Sequence, residues 1–321
     1  MRAIQVSEHG GPEVLNYVEV PDPQIGPDQL LVDTAAIGIN FIDTYIRTGR
    51  YPQAVPYIPG AEGTGVVDEV GANVTEFAVG DRVAWAAAPG SYGQRVAVPA
   101  AVAVKVPDGV DAPVAASALL QGMTAHYLIE SIYKPEPGET VLVHAGAGGV
   151  GLLLTQLAVA RGVRVITTVS SDAKEKLSRE AGASEVLRYT DDLADRVRAL
   201  TEGVGVAAVY DGVGAATFEA GLASLRVRGM LALFGAASGP VPPFDLQRLN
   251  PAGSLFVTRP TLVHYTRDRA ELLWRATDIL TAIADGTLHV RIGATYPLAE
   301  AEQAHRDLEG RKTTGSIVLL P

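Results

Sequence analysis

The chain reads as an α/β protein that pairs a doubly wound parallel sheet with a second, barrel-like β domain. Three observations lead there. The first third consists of short β-branched runs separated by Gly and Pro, and the middle alternates apolar strands with helices. A glycine-rich turn joins the first strand of that alternation to its first helix. At 321 residues the chain is also long enough for two cores.

Residues 1–6 read as a strand and lack the apolar run and small-residue cleavage site of a signal peptide. Alternating or β-branched runs follow at 30–35, 65–70, 82–85, 94–98 and 102–106. The turn pairs Pro27-Asp28, Gly80-Asp81 and Asp108-Gly109 separate them, as in a twisted antiparallel domain. A helix is expected to start near Asp111, with Asp as N-cap and Pro113 in its first turn. From about 123 the pattern predicts strands at 140–145, 163–169, 186–187, 207–211 and 230–235. Helices over 150–161, 174–181, 193–201 and near 218–225 alternate with them, so the sheet should be parallel and covered on both faces. An amphipathic helix over 269–285, a strand at 296–298, a helix over 299–308 and an apolar strand at 316–320 close the chain. That last strand suits the β domain, so the chain is expected to return to its first domain. Boundaries fall at 122/123 and 263/264.

Composition narrows the function classes. Hydrophobic residues make up 47% and charged residues 19%, as in a folded globular protein. A net charge of -10 and a pI near 5.1 disfavour a nucleic-acid partner, because an acidic surface repels polyphosphate. The absence of cysteine removes disulfides, thiolate nucleophiles and iron–sulfur clusters. No segment approaches the roughly 18 apolar residues of a membrane span, so no membrane association is expected and the cytoplasm is the expected location.

The strongest local signal is the segment Thr140-Val-Leu-Val-His-Ala-Gly-Ala-Gly-Gly-Val-Gly151. Gly146, Gly148 and Gly151 form a G-x-G-x-x-G turn between a predicted strand and a predicted helix, the Rossmann context for a dinucleotide. Gly146 is expected to make a tight turn, Gly148 to admit a pyrophosphate, and Gly151 to let helix and strand pack closely. The pyrophosphate would sit on the N–H groups at the helix start, where the dipole favours an anion. NAD enzymes usually place an acid at the end of the second strand, about 20 residues on. Here that strand ends Thr168-Val169-Ser170-Ser171, which leaves room for a 2′-phosphate. Asp172 follows and could serve an NAD ribose instead, but it is better read as an N-cap for the helix over 173–181. Ser170, Lys174 and Tyr189 would then surround the phosphate, and NADPH is the expected cofactor. Phe234 and Gly235, at a strand's carboxyl end, are expected to line the same ligand.

Several segments together resemble the medium-chain dehydrogenase/reductases: Pro59-Gly60-Ala61-Glu62-Gly63-Thr64-Gly65-Val66-Val67, Val79-Gly80-Asp81-Arg82-Val83, the glycine loop, and Tyr210-Asp211-Gly212-Val213-Gly214. Asn40-Phe41-Ile42-Asp43-Thr44-Tyr45, Leu120-Gln121-Gly122-Met123-Thr124-Ala125 and Gly253-Ser254-Leu255-Phe256-Val257-Thr258-Arg259-Pro260 resemble the zeta-crystallin-like quinone oxidoreductases. The closing Arg311-Lys312-Thr313-Thr314-Gly315-Ser316 is similar to theirs as well. The resemblance spans essentially the whole chain. It implies a GroES-like catalytic domain over 1–122 and 264–321, and a Rossmann NADPH domain over 123–263 with the cofactor in a cleft. It also implies a homo-oligomer, a dimer or tetramer, in which edge strands pair.

Zinc-dependent members carry a cysteine where this chain has Asn40, a histidine where it has Ala61, and a further cysteine near Leu120. No metal site is therefore expected. Without a Lewis acid a simple alcohol has no easy route to its alkoxide, whereas a quinone or activated alkene accepts hydride readily. The resemblance assigns Asn40 to positioning or donating a hydrogen bond, Tyr45 to the substrate oxygen, and Arg259 to the developing negative charge. Thr124, Gly149, Val150, Val257 and Arg311 join the cofactor contacts on the same ground. Competing readings are an NADPH-dependent enoyl or alkenal reductase and, from another class, a nucleotide-binding structural or RNA-binding protein.

Overall fold

A computed structural model describes residues 1–190 and 192–321. They form two compact units, Met1–Met123 with Thr266–Pro321, and Thr124–Tyr265.

The first unit opens with an antiparallel pair, β1 (Arg2–Gln5) and β2 (Asn16–Glu19). β3 (Gln29–Ile39) is its long central strand, followed by α1 (Phe41–Arg47), β4 (Glu62–Val70), β5 (Arg82–Trp85), β6 (Arg95–Pro99) and β7 (Val104–Lys105). One edge of β3 pairs with β4; the other is shared by β6 near its start and, near its end, by a strand from the end of the chain. β3 runs four residues past the sequence expectation because Ala36–Ile39 are all buried. Buried on both faces, that stretch shows no alternation, and Gly38 looks like a breaker. Gly38 is required there: a Cβ would lie 2.6 Å from Glu62 Oε2 and would also collide with the Ala116 carbonyl. α2 (Ala112–Tyr127) begins directly after Asp111, carries the chain into the second unit and ends in a π turn, Leu128–Ile132.

The second unit contains β8 (Thr140–Val143), α3 (Gly149–Val159), β9 (Arg164–Val169), α4 (Asp172–Glu180) and β10 (Glu185–Arg188). It continues through α5 (Leu193–Leu200), β11 (Val206–Asp211), α6 (Phe218–Ser224), β12 (Leu225–Leu233) and β13 (Phe256–Thr258). All six strands are parallel, in the order β10-β9-β8-β11-β12-β13. The connection reverses direction between β8 and β11, which is where ligands bind in doubly wound sheets. Leu142, Ile166, Val209 and Leu231 from four adjacent strands share one buried cluster with Phe218 and Leu222 of α6.

The chain then returns to the first unit with α7 (Arg269–Ala284), β14 (Ile292–Pro297), α8 (Ala301–Glu309) and β15 (Ser316–Leu320). β15 pairs antiparallel with β3 and parallel with β14, so the last strand lies in the β-rich sheet. Two expectations need correction. The strand placed at 296–298 runs over Ile292–Pro297, since Ala294–Pro297 pair with β15 while Gly293 and exposed alternate residues mask the run. Asp172 does not cap α4. Ser171 does, with its hydroxyl accepting from Lys174 N at 3.4 Å, and Asp172 is the first helical residue. Among the described residues no helix is long and apolar enough to cross a membrane.

Candidate active site

The glycine loop connects β8 to α3 with Gly148 as N-cap. Its strained residue is Ala145, at φ 54°; Gly146 has no positive φ and is needed for space. A Cβ on Gly146 would lie 2.5 Å from Thr167 Cβ and 2.8 Å from Ser178 Oγ, so the expected tight-turn role gives way to packing against β9 and α4. A Cβ on Gly151 would run into the Ala145 carbonyl, the close helix–strand approach expected of it. Gly148 is less crowded: a Cβ there would meet only Ala145 O, at 3.3 Å, a tight contact short of a clash, with no side chain nearby. α3 has no acid in its first turn, and Gly149, Val150 and Gly151 lie where N–H groups lack intrahelical acceptors. These residues fit a dinucleotide pyrophosphate.

The end of β9 lies beside this loop. Ser170 is exposed, Lys174 stands in the first turn of α4, and Tyr189 follows β10. The Tyr189 hydroxyl accepts from Ala145 N at 3.0 Å and donates to Thr168 O at 3.4 Å, tying it to the strained loop residue. Arg188, opposite Val169 in the sheet, was not anticipated; it holds Asp172 and Glu175 at 2.7 Å each. Asp172 is thereby committed to a cation instead of a ribose. His144 is buried, its Nδ1 paired with Thr168 Oγ1 at 2.8 Å and its Nε2 without a partner. Burial lowers its pKa, partly offset by the Asp211 charge.

Other expected cofactor residues occupy adjacent strand ends. Phe234 and Gly235 directly follow β12, with Phe234 N donating to Asp211 O at 2.8 Å. Asp211 itself accepts from Val213 N, Gly214 N and Thr217 Oγ1, which shapes the loop after β11. Val257 lies in β13 opposite Leu231, and exposed Arg259 follows that strand. Thr124 is buried on α2. Arg311 belongs to the first unit, between α8 and β15, at φ 57°.

In the first unit Asn40 sits at the junction of β3 and α1, 5% exposed. Its Nδ2 donates to Glu62 Oε2 at 2.6 Å, and its Oδ1 accepts from Gln121 Nε2 at 3.2 Å. Glu62 Oε1 accepts from Leu120 N at 2.7 Å, and Gln121 Oε1 accepts from Ser316 Oγ at 2.7 Å. Four segments are thus linked in a network that ends on one buried carboxyl, whose pKa burial pushes up to about 8 against the hydrogen bonds from Asn40 and Leu120. Tyr45, one turn along α1, is packed against Phe41 and Tyr51 with Arg50 over its ring at 4.8 Å.

A second network holds α1. Asp43 Oδ2 accepts from Asn40 N and from the Tyr92 hydroxyl, both at 2.9 Å. Tyr92 Oη meets His305 Nε2 at 3.1 Å, and Arg47 Nη1 meets His305 Nδ1 at 2.9 Å. A guanidinium can only donate, so Nδ1 accepts and Nε2 carries the imidazole proton toward Tyr92. Burial and the Arg47 charge push His305 down to about 3, and burial lifts Asp43 to about 6. Glu62, Tyr92 and His305 were not anticipated. Glu62 had a signal, a lone carboxylate in a run of small apolar residues; the other two had none.

A groove of 340 Å³ bounded by Phe77, Lys105, Arg269 and Leu273 contains none of these residues. Among the described residues no three His, Cys, Asp or Glu side chains converge as a metal group. Around Asn40 the donors are one carboxylate and two amides, a set that does not fit tetrahedral zinc.

Two family models match: an alcohol dehydrogenase GroES-like domain over residues 26–108 and a zinc-binding dehydrogenase over residues 149–273. A quinone oxidoreductase of Pseudomonas aeruginosa is 45% identical, covering 100% of this chain and 99% of that protein. A 2-haloacrylate reductase of a Burkholderia species is 42% identical, covering 99% of this chain and 98% of that protein. A mycobacterial protein solved with NADPH superposes with a TM-score of 0.98 at 58% identity, covering 100% of both chains. Escherichia coli quinone oxidoreductase, also solved with NADPH, does so with a TM-score of 0.98 at 40% identity, covering 100% of both chains. With identity at this level along its whole length, the chain belongs to the quinone oxidoreductase family of the medium-chain dehydrogenase/reductases.

Proposed function

We propose that the protein is an NADPH-dependent, zinc-independent quinone reductase. The observation that carries the cofactor is the less crowded Gly148 backbone at the reversal point of the parallel sheet, beside a neutral strand end. When bound, NADPH supplies the hydride. Gly148, Gly149 and Val150 hold the pyrophosphate on a turn that Gly146 and Gly151 allow to pack closely, and Ser170, Lys174 and Tyr189 take the 2′-phosphate. Thr124, Phe234, Gly235, Val257 and Arg311 complete the binding of the dinucleotide. Asn40 orients the reacting pair, Tyr45 donates a hydrogen bond to the acceptor oxygen, and Arg259 offsets the charge that develops there. The catalytic domain is assigned to 1–122 with 264–321, and the cofactor domain to 123–263.

A second reading, reduction of an activated alkene, is favoured by the 2-haloacrylate reductase relative. NADPH oxidation measured against ortho-quinones, para-quinones, 2-alkenals and 2-haloacrylate separates them; turnover of alkenes alone would overturn the quinone assignment. Lys174→Ala should raise KM for NADPH about tenfold or more, the worth of a charge-assisted hydrogen bond, and leave KM for NADH near its original value. Equal effects on both would remove Lys174 from the phosphate site. We also propose a homo-oligomer formed through the edge strand β13, where Phe256 is exposed, in a cytoplasmic protein with no nucleic-acid partner. Sedimentation of Phe256→Asp as a monomer would support that edge as the interface.

A further inference from the structure

We propose that Glu62 is a positioning residue for Asn40, and that a proton on Glu62 reverses the hydrogen-bond chain Ser316–Gln121–Asn40–Glu62. The chain has a direction. Ser316 Oγ donates to Gln121 Oε1, Gln121 Nε2 donates to Asn40 Oδ1, and Asn40 Nδ2 donates to Glu62 Oε2. Each amide is donor on one side and acceptor on the other, so a single assignment propagates through all four residues. The direction observed requires Glu62 Oε2 to accept, as a carboxylate does. Its other oxygen is held by Leu120 N at 2.7 Å, and the carboxyl fills the space that a Cβ on Gly38 would take.

A proton on Oε2 makes Glu62 a donor. Asn40 must then turn Oδ1 toward it and Nδ2 toward Gln121, whose Nε2 in turn faces Ser316 Oγ. The three bonds from Glu62 to Ser316 form in either direction, Ser316 Oγ accepting in the reversed one, whereas a mixed arrangement sets two N–H groups or two lone pairs face to face in a buried site. The ionisable groups facing Glu62 are Asp43 on α1 and Tyr92 from the segment before β6. α2 presents only the Leu119 and Leu120 N–H groups and the Gln121 amide, β3 presents Gly38, and β15 acts through Ser316. Asp43, whose own carboxyl titrates near 6, is ionised while Glu62 titrates near 8. The free N–H and the free lone pair of Asn40 therefore exchange places near pH 8. The catalytic consequence rests on the proposed reductase activity; the reversal itself does not.

The test reads the amide directly. In protein labelled with ¹⁵N-asparagine and free of NADPH and quinone, the Asn40 side-chain signals, assigned by their loss in Asn40→Ser, are followed from pH 6 to 10. A single midpoint near 8, abolished in Glu62→Gln, is expected. Signals that do not move in the native protein, or that move alike in Glu62→Gln, would overturn the proposal. The native titration decides even if that variant fails to fold. In turnover, kcat/KM for quinone should change about tenfold across the same midpoint and lose that step in Glu62→Gln. Absence of quinone turnover with the amide titration intact counts against the reductase reading and supports the reversal.

Discussion

The glycines of the loop are equal in the sequence and unequal in the fold. Gly146 and Gly151 are there because neighbouring protein atoms occupy the space of a Cβ, while a Cβ on Gly148 would meet only the Ala145 carbonyl, at 3.3 Å. Gly146→Ala should lower stability by about 1–3 kcal/mol, the usual cost of overpacking, seen as a lower midpoint in urea. Gly148→Ala should keep the native Tm and weaken NADPH binding about tenfold or more in a fluorescence titration. Native NADPH affinity in Gly148→Ala would remove that residue from the phosphate path. The spacing of the three glycines was legible because it lies within a few residues. Which glycine is steric and which is for the ligand was not, because Thr167 and Ser178 reach Gly146 only after β9 and α4 have packed.

At the level of elements, α1 shows how a short helix is held in one position. Seven residues cannot sustain a helix alone, and its start is tied by Asp43 Oδ2, which accepts from Asn40 N. Its other end is tied by Arg47, which bonds Gly10 O, His305 and Glu309. Tyr92→Phe removes the hydroxyl between Asp43 and His305 and leaves the imidazole N–H buried without an acceptor. A loss of about 1–3 kcal/mol in urea unfolding is expected, together with a lower kcat, since Asn40 and Tyr45 ride on this helix. A purely structural relay would lower stability and leave kcat unchanged. The longer parallel-sheet elements were legible from their apolar runs and periodicity. α1 and β2 were not, and β14 only at its end, being short and held by partners elsewhere in the chain.

For the whole molecule, buried titratable groups set the pH dependence of stability. Glu62 has its folded pKa raised to about 8, so the folded state binds a proton that the unfolded state lacks above its ordinary value of 4.5. Its contribution is present below that value and is lost as pH rises through 8. Asp43, raised to about 6 from 3.8, acts in the same sense at lower pH. His144 and His305 act in the opposite sense. Their depressed pKa values contribute stability present above their ordinary 6.5 and lost as pH falls. Stability should therefore rise by roughly 1.4 kcal/mol per unit as pH falls from 8 to 6.5, where Glu62 alone is out of balance. The rise should stop below 6.5, where the depressed imidazoles begin to oppose the raised carboxyls. Urea unfolding at intervals between pH 5 and 9 checks this, and Glu62→Gln should flatten the upper limb. A native protein equally stable at pH 6.5 and 8.5 would contradict the assignment.

What the sequence determined by itself is the cofactor half: the parallel sheet, the loop at its reversal point and the neutral end of the second strand. These follow from apolar periodicity and backbone sterics, which act between near neighbours. What only tertiary structure decided is the environment of Asn40. Ser316 reaches Gln121 across 195 positions and Arg47 reaches His305 across 258, and no local preference encodes such meetings. The charge state of Glu62 belongs to the same category. A carboxyl's solvation depends on which segments close over it, and here those are β3, α2 and the last strand of the chain.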